Sequence, residues 1–154
     1  MHPLDLQFGK TMSTAHINTL DPAWLLVDAT DQTLGRMAAR IARILQGKHK
    51  AIYSPHLDHG DFVVVVNCTK LHFTGNKLKD KIYYRHSRRP GSLKEESLGS
   101  LHARRPEEVL NLAVKRMLPK NARGYAMLKK LRIFADSEHN HQAQQPQPIN
   151  LEEF

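Results

Sequence analysis

The chain has 154 residues, a length that favours a single domain large enough to bury a real core. Because Cys68 is the only cysteine, an internal disulfide framework is excluded, which fits a reducing, cytoplasmic setting. No apolar run approaches the roughly 20 residues that a membrane span needs, and the N-terminus lacks the pattern of a secretory signal. We therefore expect no membrane partner.

The formal net charge of +8 is spread unevenly along the chain. Residues 35–132 hold 22 of the 23 Lys and Arg against seven acids, a net of +15, whereas residues 1–34 carry −3 and residues 133–154 carry −4. A body with this charge repels itself and favours a polyanionic partner. Nucleic acid is the expected one, since phosphate contacts release counterions. Aromatic residues are few, so base stacking is not the obvious binding mode.

The first predicted elements form a strand–helix–strand unit. Residues 1–22 lack periodicity and are expected to be a mobile extension. Trp24–Val27 predicts a buried strand, and a helix should run from Leu34 to Gln46 and stop at Gly47. Phe62–Val66 is apolar at every position, which is typical of a strand buried on both faces. One helix face carries the core residues Leu34, Met37, Ala38, Ile41 and Leu45, and the opposite face carries Arg36, Arg40 and Arg43.

Short elements and a basic loop follow the buried strand. Leu71–Phe73 predicts a short strand, Thr74–Lys77 a turn, and Ile82–Tyr84 a strand or an extended segment. Residues 85–94 predict a basic loop, broken by Pro90 and Gly91.

The remaining sequence predicts helices and a last strand. Helices are expected over Lys94–His102, Pro106–Leu118 and Ala122–Leu128, followed by a strand over Leu131–Ala135. The Gln- and Pro-rich tail from Gln142 should be extended. This order indicates an α/β domain with helices on both faces of a small sheet.

The sequence lacks the motifs of a catalytic, cofactor or metal site. No dinucleotide or P-loop glycine pattern occurs, and the G-x-S-x-G elbow is missing. Cys68 beside an apolar strand is expected to be an inert core residue. The pairs His56/His59, near Asp58 and Asp61, and His139/His141, beside Glu138, have neither Cys partners nor an H-E-x-x-H frame. We therefore predict no enzyme, cofactor, metal or small-molecule substrate.

Basic clusters at turns and helix ends are the strongest functional signal, because long cations on loops reach phosphates while the core stays dry. No RRM, KH or zinc-finger signature is present, so the surface is expected to recognise the shape of folded RNA. The predicted RNA-binding residues are Arg36, Arg40, Arg43, Lys48, His49, Lys50, Lys77, Lys79, Lys81, Arg85, His86, Arg88, Arg89, Lys94, Arg104, Arg105, Lys115, Arg116, Lys120, Arg123, Lys129 and Lys130.

Several linked motifs resemble one family. They are Gly47-Lys48-His49-Lys50-Ala51-Ile52-Tyr53-Ser54-Pro55-His56 with Asp58 and Gly60-Asp61, Thr74-Gly75-Asn76-Lys77 with Asp80-Lys81 and Tyr83-Tyr84, Ala103-Arg104-Arg105-Pro106, Met117-Leu118-Pro119-Lys120, and Glu138-His139-Asn140-His141 with Gln144-Gln145-Pro146. In this order, over about residues 23–151, they resemble the L-thirteen family of large-subunit ribosomal proteins, bacterial type.

The resemblance implies a three-layer α/β/α sandwich around a small, mainly parallel sheet. It also implies binding to large-subunit ribosomal RNA, a role early in subunit assembly, neighbouring ribosomal proteins as partners, and no catalytic residue. The expected domain spans residues 23–141, with a tail over 142–154. Ser87–Ser92 departs from the glycine-rich loop common in the family, and residues 1–22 extend beyond its usual start.

Two other functions compete with a structural ribosomal protein. A free-standing RNA-binding regulator of a messenger RNA would show the same charge pattern, because a surface that recognises ribosomal RNA also recognises a mimic. A small nucleotide-binding enzyme is compatible with the α/β pattern, but the missing phosphate loop and the absence of an acid–base pair argue against it.

Overall fold

The computed structural model describes residues 22–151. The predicted mobile extension therefore lies, except for its last residue, outside the described residues. In chain order the elements are β1 (Trp24–Asp28), α1 (Leu34–Leu45), β2 (Phe62–Val66), a 3₁₀ turn (Cys68–Lys70), α2 (Lys77–Asp80), β3 (Ile82–Arg85), β4 (Lys94–Ser97), α3 (Leu98–Arg104), α4 (Pro106–Met117), α5 (Ala122–Lys129), β5 (Leu131–Ile133), a second 3₁₀ turn (Gln142–Gln144) and β6 (Gln147–Pro148).

The main sheet has the order β5-β2-β1-β6 within the described residues, and each neighbouring pair is parallel. Strand β2 lies in its interior, with Val64 opposite Leu26 on one side and Arg132 on the other. Val63, Val64 and Val65 are completely buried, as the continuous apolar run predicts. The α/β class and the mainly parallel sheet are thus confirmed.

One face of this sheet packs against helices. Side chains alternate between the two faces of a strand, so Val63 and Val65 point to the same side. Both belong to the hydrophobic core that also contains residues of α1, α3, α4 and α5. In α1 the predicted face is buried, with Met37, Ala38 and Ile41 fully inaccessible. The 3.6-residue period therefore identifies the packed side of this helix correctly.

The other face of the sheet is covered by the C-terminal segment. Trp24 stacks on Phe62 with ring centroids 4.4 Å apart, and the His141 ring lies 5.1 Å from Trp24. The end of the chain then docks on β1 through β6, where the Ile149 N–H donates to the Leu26 carbonyl at 2.9 Å. The tail from Gln142 therefore lies along the edge of the sheet, where β6 pairs with β1, and it has little other regular structure.

Strands β3 and β4 form a separate antiparallel hairpin. The predicted helix over Lys94–His102 is wrong in its first four residues, which pair with β3 as strand β4. The helix begins at Leu98, where the Ser97 hydroxyl accepts a hydrogen bond from the Ser100 N–H. Backbone pairing with β3 has overridden the local helix preference of this polar segment.

Smaller differences concern short segments. The predicted strand Leu71–Phe73 contributes only an isolated bridge between His72 and Thr33. The Thr74–Lys77 turn leads directly into α2, and β5 ends at Ile133 instead of Ala135. The helices of the described region are all too short or too polar to cross a membrane.

Candidate RNA interface

The arginines of α1 lie on the side of the helix away from the core. Arg36 and Arg43 are exposed and Arg40 is half-buried. The buried neighbours Met37, Ala38 and Ile41 hold the opposite side of the helix against the domain. The helix thus presents a cationic stripe to solvent on a rigid support, which suits contacts along an RNA backbone.

The hairpin β3–β4 carries a basic connection that we call the hairpin arm, residues 85–94. Its basic side chains are exposed, and they are Arg85, His86, Arg88, Arg89 and Lys94. The Ser92 hydroxyl orders the turn by donating to the Arg89 carbonyl at 2.7 Å and accepting from the Ser87 N–H at 3.2 Å. Arg88 has a left-handed φ of 63°. The arm is therefore a locally ordered, fully exposed group of positive charges.

Three of the predicted arginines are paired with carboxylates at the surface. Arg85 contacts Glu108 at 2.8 Å, and Arg105 lies 3.7 Å from the same carboxylate. Arg104 contacts both oxygens of Glu96, at 2.7 and 2.9 Å. Exposed pairs of this kind contribute only about 0–1 kcal/mol, so they hold the three arginines only weakly.

The segment between α1 and β2 behaves differently, because its basic residues His49 and Lys50 point inward while Lys48 is exposed. The buried carboxylate of Asp61 accepts hydrogen bonds from Lys50 Nζ at 2.5 Å and His49 Nε2 at 2.8 Å. Lys130 Nζ lies 2.8 Å from Asp58 Oδ1. The Arg123 guanidinium donates to the backbone carbonyl of Pro55. The four side chains of His49, Lys50, Arg123 and Lys130 therefore hold this segment in the free protein.

Other predicted cations lie over aromatic rings. Lys81 Nζ lies 5.3 Å from the centre of the Tyr83 ring, and the Arg116 guanidinium carbon lies 5.4 Å from the same centre. Lys115 Nζ lies 6.0 Å from the exposed Tyr125 ring. These positions are within the range of a cation–π interaction, which orients the side chains while leaving Lys115 and Arg116 exposed.

The remaining predicted cations are exposed on short elements or loops: Lys48, Lys77, Lys79, Lys120 and Lys129. Lys77 Nζ also contacts the Thr74 hydroxyl at 3.0 Å. Two exposed cations, Lys70 and Arg132, were missed by the sequence analysis. Lys70 is isolated in the sequence, and Arg132 stands in the apolar strand β5, two residues after Lys130.

The cysteine and two of the histidines that were considered for a catalytic or metal site pack against other parts of the domain. Cys68 is fully buried, and burial raises the pKa of its thiol to about 12, with a smaller contribution from Glu107. His139 and His141 lie beside the Phe134 ring, at 6.2 and 5.8 Å between ring centres. Within residues 22–151, no three metal-ligating side chains form a group. Cys68 is therefore a protonated core residue at neutral pH.

Comparison with known proteins shows the family. The sequence model of ribosomal protein L13 matches residues 22–140. The chain belongs to the ribosomal protein L13 family. This membership confirms the predicted family and the prediction of a structural ribosomal protein in place of an enzyme.

Individual relatives extend over most of the chain. The large ribosomal subunit protein uL13 of Aromatoleum aromaticum is 59% identical over 83% of this chain and 90% of its own length. That of Aquifex aeolicus is 57% identical over 83% of this chain and 89% of its own. That of Thermosynechococcus vestitus is 53% identical, with coverage of 88% and 89%.

Proposed function

We propose that this protein is a structural constituent of the large ribosomal subunit in the cytoplasm, where it binds large-subunit ribosomal RNA by backbone and shape contacts. The proposal rests on two observations taken together. The chain belongs to the ribosomal protein L13 family, and its central body has a net charge of +15 with exposed cations on α1 and the hairpin arm. Relatives that share more than half of the aligned residues are named as large-subunit proteins.

The mode of binding follows from where the cations lie. Arg36 and Arg43 on α1 are distant in sequence from the hairpin arm. Helix α1 and Tyr83 of strand β3 belong to the same hydrophobic core, which fixes the spacing of the two groups of cations. A fixed array of cations distinguishes RNA folds by the spacing of their phosphates and needs few base contacts. Neighbouring ribosomal proteins are the second class of partner that this role requires.

Early assembly is the stage at which we place the protein. A preorganised cationic body is able to bring separate RNA segments together before later proteins arrive, because each phosphate contact releases counterions. Depletion of the protein should therefore cause incomplete large-subunit particles to accumulate. Normal particle profiles after depletion would contradict the assembly role and leave the binding role intact.

Fractionation of a cell lysate on a sucrose gradient tests the proposed function. We expect the protein in fractions that contain large subunits and whole ribosomes, with loss from these fractions after a high-salt wash that weakens phosphate contacts. Recovery only at the top of the gradient would contradict the proposal and favour the alternative of a free RNA-binding regulator that acts on a messenger RNA.

A further inference from the structure

The segment between α1 and β2 is closed at its neck by two glycines. A Cβ atom on Gly47 would lie 2.9 Å from the His59 carbonyl carbon, and one on Gly60 would lie 1.8 Å from the Leu45 carbonyl oxygen. The two ends of the segment therefore touch. Residues 48–59 form a compact loop with adjacent ends, a class of loop that frequently carries function, and we call it the neck loop.

Asp61 connects the neck loop to the chain segment before β1. Its side chain is 3% exposed, and its oxygens accept hydrogen bonds from Lys50, His49 and the backbone N–H of Ala23, the last at 2.9 Å. One buried carboxylate thus joins the beginning of the loop to the chain just before β1. A buried carboxylate needs such partners, since an unpaired one is very costly.

Two contacts fix the far side of the same loop. Lys130 bridges the loop by contacting Asp58 at 2.8 Å and the Gly60 carbonyl at 2.9 Å. Arg123 donates to the Pro55 carbonyl. Both cations lie at α5 or directly after it, so the loop is attached to the helix layer as well as to the sheet.

The contacts divide the loop's own side chains into two groups. Lys50 and His49 point to Asp61, with side chains only 24% and 16% exposed. Lys48 is exposed, and Tyr53 as a whole residue is 38% exposed. Neighbouring lysines in one basic cluster therefore face different surroundings, one a buried acid and the other solvent.

We propose that the neck loop is an RNA-binding site in which Asp61 is the positioning residue. Asp61 holds Lys50 and His49 inward, and the loop so fixed presents Lys48 to a phosphate and Tyr53 to an unstacked base or a ribose. This inference rests on the proposed function and deepens it, because it says which residues of this basic motif contact RNA. Aromatic and cationic side chains on a preformed loop are a common way to bind unpaired RNA segments.

The matched variants Lys48→Met and Lys50→Met test the division. Each removes one charge from the same loop and keeps the aliphatic part of the side chain. We measure the affinity for a transcript of bacterial large-subunit ribosomal RNA at several salt concentrations. Lys48→Met should lower the slope of log K against log salt by about one, and Lys50→Met should leave the slope unchanged. Equal slopes for the two variants would overturn the proposal.

A double variant tests the positioning role of Asp61. Asp61→Asn combined with Lys50→Met removes the buried ion pair without releasing a lysine that contacts phosphate instead. We expect an affinity lower by about tenfold at an unchanged salt slope, together with faster amide hydrogen exchange in residues 48–59. Wild-type affinity in a folded double variant would contradict the role of Asp61. If the double variant does not fold, the two single lysine variants still decide the division.

Tyr53→Ala tests the second contact. We expect an affinity lower by about fivefold with an unchanged salt slope, since stacking on an aromatic ring involves no counterion release. Unchanged affinity would contradict an RNA contact at this position. If the wild-type protein itself binds the transcript without salt dependence, the proposed function fails, and the RNA-facing part of the inference fails with it.

Discussion

The neck loop and the hairpin arm are two basic connections of the described chain, but their basic side chains have different surroundings. In the neck loop, His49 and Lys50 contact the buried Asp61. In the hairpin arm the basic side chains are exposed, and the turn is ordered by small local contacts such as those of Ser92. The density of positive charge along the sequence therefore indicates which region of the protein binds a polyanion. It does not distinguish the basic residues that stabilise the fold from those that contact the partner.

The neck of the neck loop should tolerate an added methyl group less well than the hairpin arm does. Gly60→Ala should lower the free energy of unfolding by about 3 kcal/mol, because the new Cβ meets the Leu45 backbone oxygen. Gly91→Ala in the arm has open space around it and should lose only about 1 kcal/mol, from its φ of +71°. Urea unfolding of both variants measures the difference. Equal losses in the free energy of unfolding would show that the close contact at Gly60 does not hold the ends of the neck loop together.

A smaller effect is expected from Lys130→Met. This change removes the bridge from Lys130 to Asp58 and to the Gly60 carbonyl, where the lysine side chain is only 15% exposed. Stability should fall by about 1.5 kcal/mol, the usual value for hydrogen bonds to a charged group. Lys94→Met in the exposed arm is the matched control, and its stability should be unchanged. If Lys94→Met lost as much stability as Lys130→Met, the lysines of the two regions would not differ in their contribution to the fold.

The smallest effect on stability is expected at the surface pairs that flank the arm. Arg104→Ala breaks the contact with Glu96, in which the two side chains are 58% and 31% exposed. The free energy of unfolding should fall by less than about 1 kcal/mol, since solvent already weakens this pair. A thermal unfolding curve checks this. A larger loss would mean that Arg104 is a structural cation, as Lys130 is.

Much of the fold could be predicted because its core elements have clear local patterns. The uninterrupted apolar run Phe62–Val66 indicates an interior strand, and the period of α1 identifies its buried face. Strand β4 and strand β6 could not be predicted in this way. Lys94–Ser97 and Gln147–Pro148 contain no apolar alternation and become strands only because another strand offers backbone partners, the preceding β3 for β4 and the distant β1 for β6.

The basic residues of the candidate interface could be predicted from the sequence. Which of them stabilise the fold and which face solvent could not. Lys48 and Lys50 stand in the same motif, and nothing local separates them. Their different positions depend on Asp61, which is 11 residues beyond Lys50 and comes close only when Gly47 and Gly60 pack together. Roles of this kind are set by tertiary contacts between loop and core.

The salt dependence of RNA binding tests the central claim most directly. The double variant Arg88→Ala/Arg89→Ala removes two exposed charges of the hairpin arm, and Lys130→Met removes one held by Asp58. For a large-subunit ribosomal RNA transcript, the slope of log K against log salt should fall by about two in the arm variant and stay unchanged in Lys130→Met. An unchanged slope in the arm variant, or a fall of one unit in Lys130→Met, would contradict the account.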